Sequence, residues 1–203
     1  MAESKGAESR GSGAKPLPFA IEMAGKHICM CICEKDAEIR PEEGTGMQIR
    51  RAQESDVEGI NRLLFQVLAV HHEGRPDLFR ENVKKYTDQE LAAMIRDDSR
   101  PVFVGVDEAS QQVLCYAFCV FQQYKDSNIL TDIKTLYIDD LCVEKQCRGQ
   151  RIGRAIYEYV LDFARREGCY NVTLNVWACN EPARRFYESC GLAPQKIGME
   201  KIL

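Results

Sequence analysis

The sequence predicts an α/β layered fold, a mixed central sheet with helices on both faces. Three observations carry this: strand-like runs between residues 102 and 143, amphipathic helical patterns before and after them, and a glycine-containing turn leading from the last of those strands into a strong helix. A chain of 203 residues is long enough to bury the core of one compact domain and still carry an extension.

The first 18 residues are rich in Gly, Ser, Ala and Lys and are expected to be disordered. Residues 19–46 have poor periodicity and end in Pro41-Glu-Glu-Gly-Thr-Gly46; regular pattern begins at Met47. Residues 1–46 are therefore read as a flexible extension or a misassigned start. In a bacterial source, the purine-rich codons of Glu42-Glu43-Gly44 would resemble a ribosome-binding site just upstream of Met47. The alternative is a genuine extension that covers a sheet edge or forms a dimer arm, which leaves a homodimer open.

From Met47 each element has its own reason. Gln48–Arg51 reads as a short strand. Ser55 opens a helix with Glu58 completing a capping box, and Val57, Ile60, Leu64, Val67 and Leu68 form its apolar stripe. His71 to Pro76 breaks that pattern, and weaker helical signal follows over 82–86 and 88–95. Val102–Val106 and Val113–Phe121, joined by a polar turn, form a hairpin. Thr135–Val143 is the next strand. The following helix buries Ile152, Ala155, Ile156, Tyr159, Val160 and Phe163 and stops at Gly168. Asn171–Ala178 is a strand, Glu181–Ser189 a helix with Pro182 in its first turn and Gly191 after its end, and Lys196–Leu203 a last strand.

Composition excludes several classes. With 45% hydrophobic and 29% charged residues the chain reads as a globular protein, and its net charge of -4 argues against a nucleic-acid partner. No run approaches the roughly 20 apolar residues of a membrane span. The apolar stretch from Phe19 to Cys33 is interrupted by Glu22, Lys26 and His27 and lacks a cleavage signal, so a cytoplasmic location is expected. Of the ten cysteines, Cys115, Cys119, Cys142 and Cys179 sit in apolar runs and read as small core hydrophobes. Cys29, Cys31 and Cys33 alternate in a way that departs from structural zinc spacing, and no metal is expected.

The chemistry centres on Arg148-Gly149-Gln150-Arg151-Ile152-Gly153, between a strand and a helix. Backbone N–H groups at such a helix start converge with the positive end of the helix dipole, forming a cradle for a diphosphate. Arg148, Arg151 and Arg154 add positive charge, and Gly149 and Gly153 let a ligand approach the backbone. Taken alone, such a turn is usually only a helix cap. Asn180, then Tyr187 seven residues on, then Gly191-Leu192 supply a second constellation after the next strand.

With both constellations in this order, the chain from about residue 47 to 203 resembles the GNAT superfamily of N-acetyltransferases. Arg148 and Gly153 match the outer positions of that family's loop motif, and Asn180, Tyr187 and Gly191 match its second part. Arg151 departs, standing where members usually have the first glycine. A bulky residue there is strained if φ is positive and unstrained if the position is helical.

The resemblance implies acetyl-CoA as co-substrate, its diphosphate on residues 148–154 and its pantetheine arm added like a strand to Leu141, Cys142 and Val143, with Asn180 and Tyr187 also at the coenzyme. It implies direct attack by an amine, with Tyr187 giving the thiolate its proton. A core aromatic is the plainer account of Tyr187, as a solvated edge is of Asp139 and Asp140. Those two are candidates to take the amine's proton, because adjacent residues in a strand face opposite sides and one should line the cleft. Tyr137–Val143 is also similar to the corresponding strand of spermidine/spermine acetyltransferases. Asp139, in phase with Leu141 and Val143, is chosen over Asp140. Cys142 is expected to be inert. His71, His72 and residues 75–79 fall where the family builds its acceptor wall, although adjacent histidines in a loop are commonly surface residues. Trp177 and Phe186 read as packing.

The function expected is N-acetylation of a primary amine on a small molecule. The alternatives are acetylation of a protein N-terminus or lysine, or a coenzyme-binding module without turnover.

Overall fold

The computed structural model describes residues 46–203. Five strands make one sheet in chain order: β1 (Met47–Arg51), β2 (Val102–Asp107), β3 (Val113–Gln122), β4 (Thr135–Val143) and β5 (Asn171–Leu174). The first four pair antiparallel and β5 runs parallel to β4, so the sheet is mixed as expected. β2 reads as an unbroken apolar run because both of its faces are covered. Val102, Val104 and Val106 face one core layer, and Phe103 faces the other.

Helices α1 (Val57–Gly74) and α2 (Asp88–Arg96) cover one face, burying Ile60, Leu64, Val67, Leu91 and Ile95. Helices α3 (Ile152–Arg166) and α4 (Glu181–Ser189) cover the other with Ile156, Val160 and Phe186. Each such side chain contributes about 1.5–3 kcal/mol on burial, far more than helix propensity supplies. Gly168 and Gly191, at φ 68° and 89°, end α3 and α4 where the sequence places the stops.

Several boundaries differ from expectation. The Ser55–Glu58 box is not used. Instead the Gln53 N–H donates to Asp56 Oδ2 at 2.7 Å, and Arg50 clamps the same carboxylate at 2.7 and 3.0 Å. Asp56 is buried whereas Glu58 is exposed, so the paired carboxylate wins and α1 starts after it. The helix then runs through His71 and His72, because His71 is buried and packs on Phe79 with centroids 5.0 Å apart. Residues 82–86 form no helix: Asn82 sits at φ 53°, and the Thr87–Glu90 capping box starts α2 afterwards.

β5 ends at Leu174 rather than Ala178, leaving Cys179 exposed and outside the sheet, unlike buried Cys115, Cys119 and Cys142. Residues 196–203 form no strand. Ile197 and Met199 alternate but stand 79% and 90% exposed, with no neighbouring strand among the described residues to complete a ladder. Arg75 instead binds Glu200 through two hydrogen bonds of 2.8 and 3.0 Å. No helix of the described residues is long and apolar enough to cross a membrane. Residues 1–45, with Cys29, Cys31, Cys33 and Glu42–Gly44, lie outside the described residues.

Candidate active site

The parallel pair β4–β5 is short. Its register runs from Thr135↔Asn171 to Ile138↔Leu174 and stops, while β4 continues to Val143 paired only with β3. Beyond Ile138, β4 has no strand on its β5 side among the described residues, so the two strands open into a gap. Strand backbone in such a gap needs polar partners, and an amide-bearing extended ligand can supply them. Leu141 and Val143 pack in the α3–α4 layer, whereas Cys142 points to the α1 layer with Sγ 3.7 Å from the Leu63 carbonyl.

The loop leaving the gap is anchored from α1. Glu144, buried, is ion-paired with Arg62 and accepts from Gln66 Nε2 at 2.7 Å, and Gln66 Oε1 accepts the Lys145 N–H at 3.0 Å. The loop then curls through Gly149 at φ 81° and Arg151 at φ 64° into α3. Arg151 is therefore left-handed, the strained case for this departure from the family motif, at a cost of roughly 1–2 kcal/mol. It is the N-cap of α3, and its side chain makes no capping bond. Helix α3 thus starts without a side-chain cap after two left-handed residues, and first-turn amides of an α-helix are groups that can bind an anion.

The arginines divide. Arg148 Nε donates to the Val143 carbonyl at 3.2 Å, tying the loop to the gap. Arg154 is drawn away from the cradle, because Glu158 one turn on accepts from it at 2.9 Å. Gln150 is exposed, while Ile152 and Gly153 are buried at the helix start.

The carboxylates do not alternate as expected. The β3–β4 register shifts between Phe118↔Asp140 and Cys119↔Ile138, so Asp139 is the extra residue of a bulge. One ammonium consequently reaches both: Lys85 Nζ lies 3.1 Å from Asp140 and 3.7 Å from Asp139. The argument that placed Asp139 by its phase with Leu141 and Val143 therefore fails. Asp140 is fully buried, and its Oδ2 also accepts from the Tyr116 hydroxyl at 3.2 Å, while Oδ1 has no hydrogen-bond partner. Burial pushes the Asp140 carboxyl up to about 6 against the pull of Lys85. Burial disfavours the Lys85 charge too, but Asp140 and its neighbours outweigh it and hold Lys85 above the usual lysine range. Asp139 keeps 11% of its side-chain surface exposed.

Tyr187 is buried in the layer that holds Leu141 and Val143, stacked edge-on with Phe186 at 5.4 Å and Tyr157 at 6.3 Å. Asn180 caps α4, its Oδ1 accepting the Ala183 N–H at 3.3 Å. Phe186 is core, and Trp177 meets Phe79 edge-on at 5.2 Å, so both pack as expected. The His71 ring is fully buried with neither nitrogen in hydrogen-bond geometry, although the Val67 carbonyl is near; burial, with Lys85 close by, pushes it down to about 4. Sequence reasoning missed Lys85, Tyr86 and Tyr116. Lys84-Lys85-Tyr86 carries only weak helical signal, and no spacing in the chain links it to residue 140.

A family model described as Acetyltransferase (GNAT) family matches residues 67–192. The chain is 28% identical over 165 residues to "Probable glucosamine 6-phosphate N-acetyltransferase 2" of Oryza sativa subsp. japonica, covering 78% of this chain and 89% of that protein. It is 34% identical over 68 residues to "Glucosamine 6-phosphate N-acetyltransferase" of Arabidopsis thaliana, 34% of this chain and 44% of that one, less than half of the relative's length. Among solved structures, a mutant of the BH1408 protein from Bacillus halodurans superposes with a TM-score of 0.74 at 32% identity, over 77% of this chain and 99% of that one.

Proposed function

The chain belongs to the GNAT acetyltransferase family and is an acyltransferase; from that premise we propose that it moves the acetyl group of acetyl-CoA onto the primary amine of a small molecule. The observation that carries the reading is the gap between β4 and β5 beyond Ile138 and Leu174, with a carboxylate bulge at one end and the start of α3, without a side-chain cap, at the other. The relatives named for glucosamine 6-phosphate, a small amine, support the acceptor class.

The residues fit acetyl-CoA. The amides at 149–153 would hold its diphosphate, helped by Arg148 and Arg151, and β4 from Leu141 to Val143 would pair with its pantetheine amides. Bound there, acetyl-CoA supplies an activated acetyl thioester. An ammonium must lose its proton to become nucleophilic, and Asp139, the more exposed carboxylate, would take it directly or through water. Backbone N–H groups of Cys142 or Val143 are suited to a developing oxyanion. Tyr187 would return a proton to the departing sulfur, and Asn180 would fix the start of the helix that carries it.

Thiol release measured with a panel of small amines, amino sugars included, and a panel of peptides tests this. Turnover confined to the small amines is expected. Turnover on peptides alone would establish protein acetylation instead, and tight acetyl-CoA binding without turnover on either panel would make the chain a coenzyme-binding module.

A further inference from the structure

Arg75 caps the end of α1 in a fixed turn. Its N–H donates to the His71 carbonyl at 2.8 Å, and its own carbonyl accepts the Leu78 and Phe79 N–H groups at 3.0 Å. This turn meets the segment that leaves β5: a Cβ on Gly74 would come within 2.8 Å of Cys179 Sγ, and Phe79 packs edge-on against Trp177. Residues 177–179 follow β5 where the gap opens beyond Leu174, so Arg75 stands at the rim of that gap. Its guanidinium binds two carboxylates of different standing. Asp77, in the same turn, accepts from Nε at 2.9 Å and Nη2 at 2.7 Å, which fixes the plane of the fork. Glu200 accepts from Nη1 at 2.8 Å and Nη2 at 3.0 Å, but it comes from residues 196–203, which form no strand. Its side chain is 53% exposed, and an ion pair so open to water holds weakly.

We propose that Arg75 recognises an oxyanion, a carboxylate or a phosphate monoester, on the small-molecule acceptor, and that Glu200 is an internal occupant of this position which the acceptor displaces. This rests on the reading of the β4–β5 gap as the site of acetyl transfer. A guanidinium set in one plane by Asp77 is ready for bidentate binding of a second oxyanion, and Glu200 shows that geometry in place. Hydrogen bonds from Arg75 hold both carboxylates below their ordinary range, so both are charged at neutral pH. Exchange of Glu200 for the acceptor's anion therefore leaves the charge on Arg75 as well balanced as before, while Glu200 returns to water.

Matched acceptors separate this role from a structural one. By thiol release, kcat/KM is compared for glucosamine 6-phosphate against glucosamine and for γ-aminobutyrate against butylamine. The anionic member of at least one pair should be preferred, and the pair that shows it tells a phosphate from a carboxylate. Arg75→Gln should cut that preference at least about tenfold, because charge-assisted hydrogen bonds are lost. Glu200→Gln should raise it about two- to fivefold, because the internal competitor is gone. In the Arg75→Gln background Glu200→Gln should change nothing further, whereas additive effects would show only a general field of charge. Nitrogen-15 NMR of the full chain supplies a readout without turnover: inorganic phosphate should shift the amides of residues 199–203 in the wild type and not in Arg75→Gln. Four results would each overturn the proposal: no preference for an anionic member, single variants that move both members of a pair alike, additivity in the double variant, or phosphate that leaves residues 199–203 unmoved. Absence of turnover on every amine, with phosphate still displacing Glu200, would instead sink the acetyl-transfer reading and leave the anion site standing.

Discussion

His71 and Asp140 set opposite pH dependences within one buried cluster. The folded histidine titrates near 4, below its ordinary 6.5, so its contribution to stability is present above 6.5 and lost as pH falls through 4. The folded Asp140 titrates near 6, above its ordinary 3.8, so its contribution is present below 3.8 and lost as pH rises through 6. Over about pH 4–6 the two oppose each other. His71→Leu should therefore remove the acid-side loss, and urea unfolding at pH 5 and pH 7 should show the variant losing less stability on acidification than the wild type. Parallel losses would mean His71 is protonated in the fold. Tyr187→Phe should lower kcat by a factor of order 10²–10⁴ with acetyl-CoA affinity nearly unchanged, because only the hydroxyl proton is removed. A kcat equal to wild type, measured by thiol release, would move the acid role to water.

The most informative single element is the start of α3. Its glycine–arginine turn, its helix and its stop at Gly168 were legible in the sequence, since turn residues, a 3.6-residue stripe and a left-handed stop are all local signals. Whether Arg151 is strained was not, because the φ of one residue depends on how the loop is anchored, here through Glu144, Gln66 and Arg62 on α1. Arg151→Gly should relieve that strain, stabilise the fold by about 1 kcal/mol and raise Tm by about 2–4 °C. Acetyl-CoA affinity should fall less than tenfold, as the backbone donors remain. A lower Tm by calorimetry would show that the guanidinium holds the loop, and a larger loss of affinity would make Arg151 a main diphosphate ligand.

At the scale of the molecule, β1 pairs along its full length with β2 and is the outermost strand on that side among the described residues. A chain beginning at Met47 should accordingly fold with a single cooperative transition, bind acetyl-CoA and turn over like the full chain. Aggregation or loss of activity in that shorter chain, assayed beside the full one, would show that residues 1–46 belong to the working protein. Their other expected roles, as a sheet cover or dimer arm, would then be tested by the oligomeric state of the two chains in solution.

Order, type and approximate limits of most elements follow from the sequence, and so do the two constellations that identify the family. Strand alternation, helix stripes, stop glycines and motif spacing all act over a few residues. The tertiary structure alone decided which interactions survive competition between segments. Asp56 took the cap from Ser55 because Arg50 reached it from a neighbouring strand. Burial against Phe79 carried α1 through the histidines, and residues 196–203 stayed out of the sheet for want of a partner strand. The carboxylate bulge belongs to the same class: a register shift is set by the pairing strand, and Lys85 comes to Asp140 across 55 residues of chain, a distance over which sequence carries no signal and only packing does.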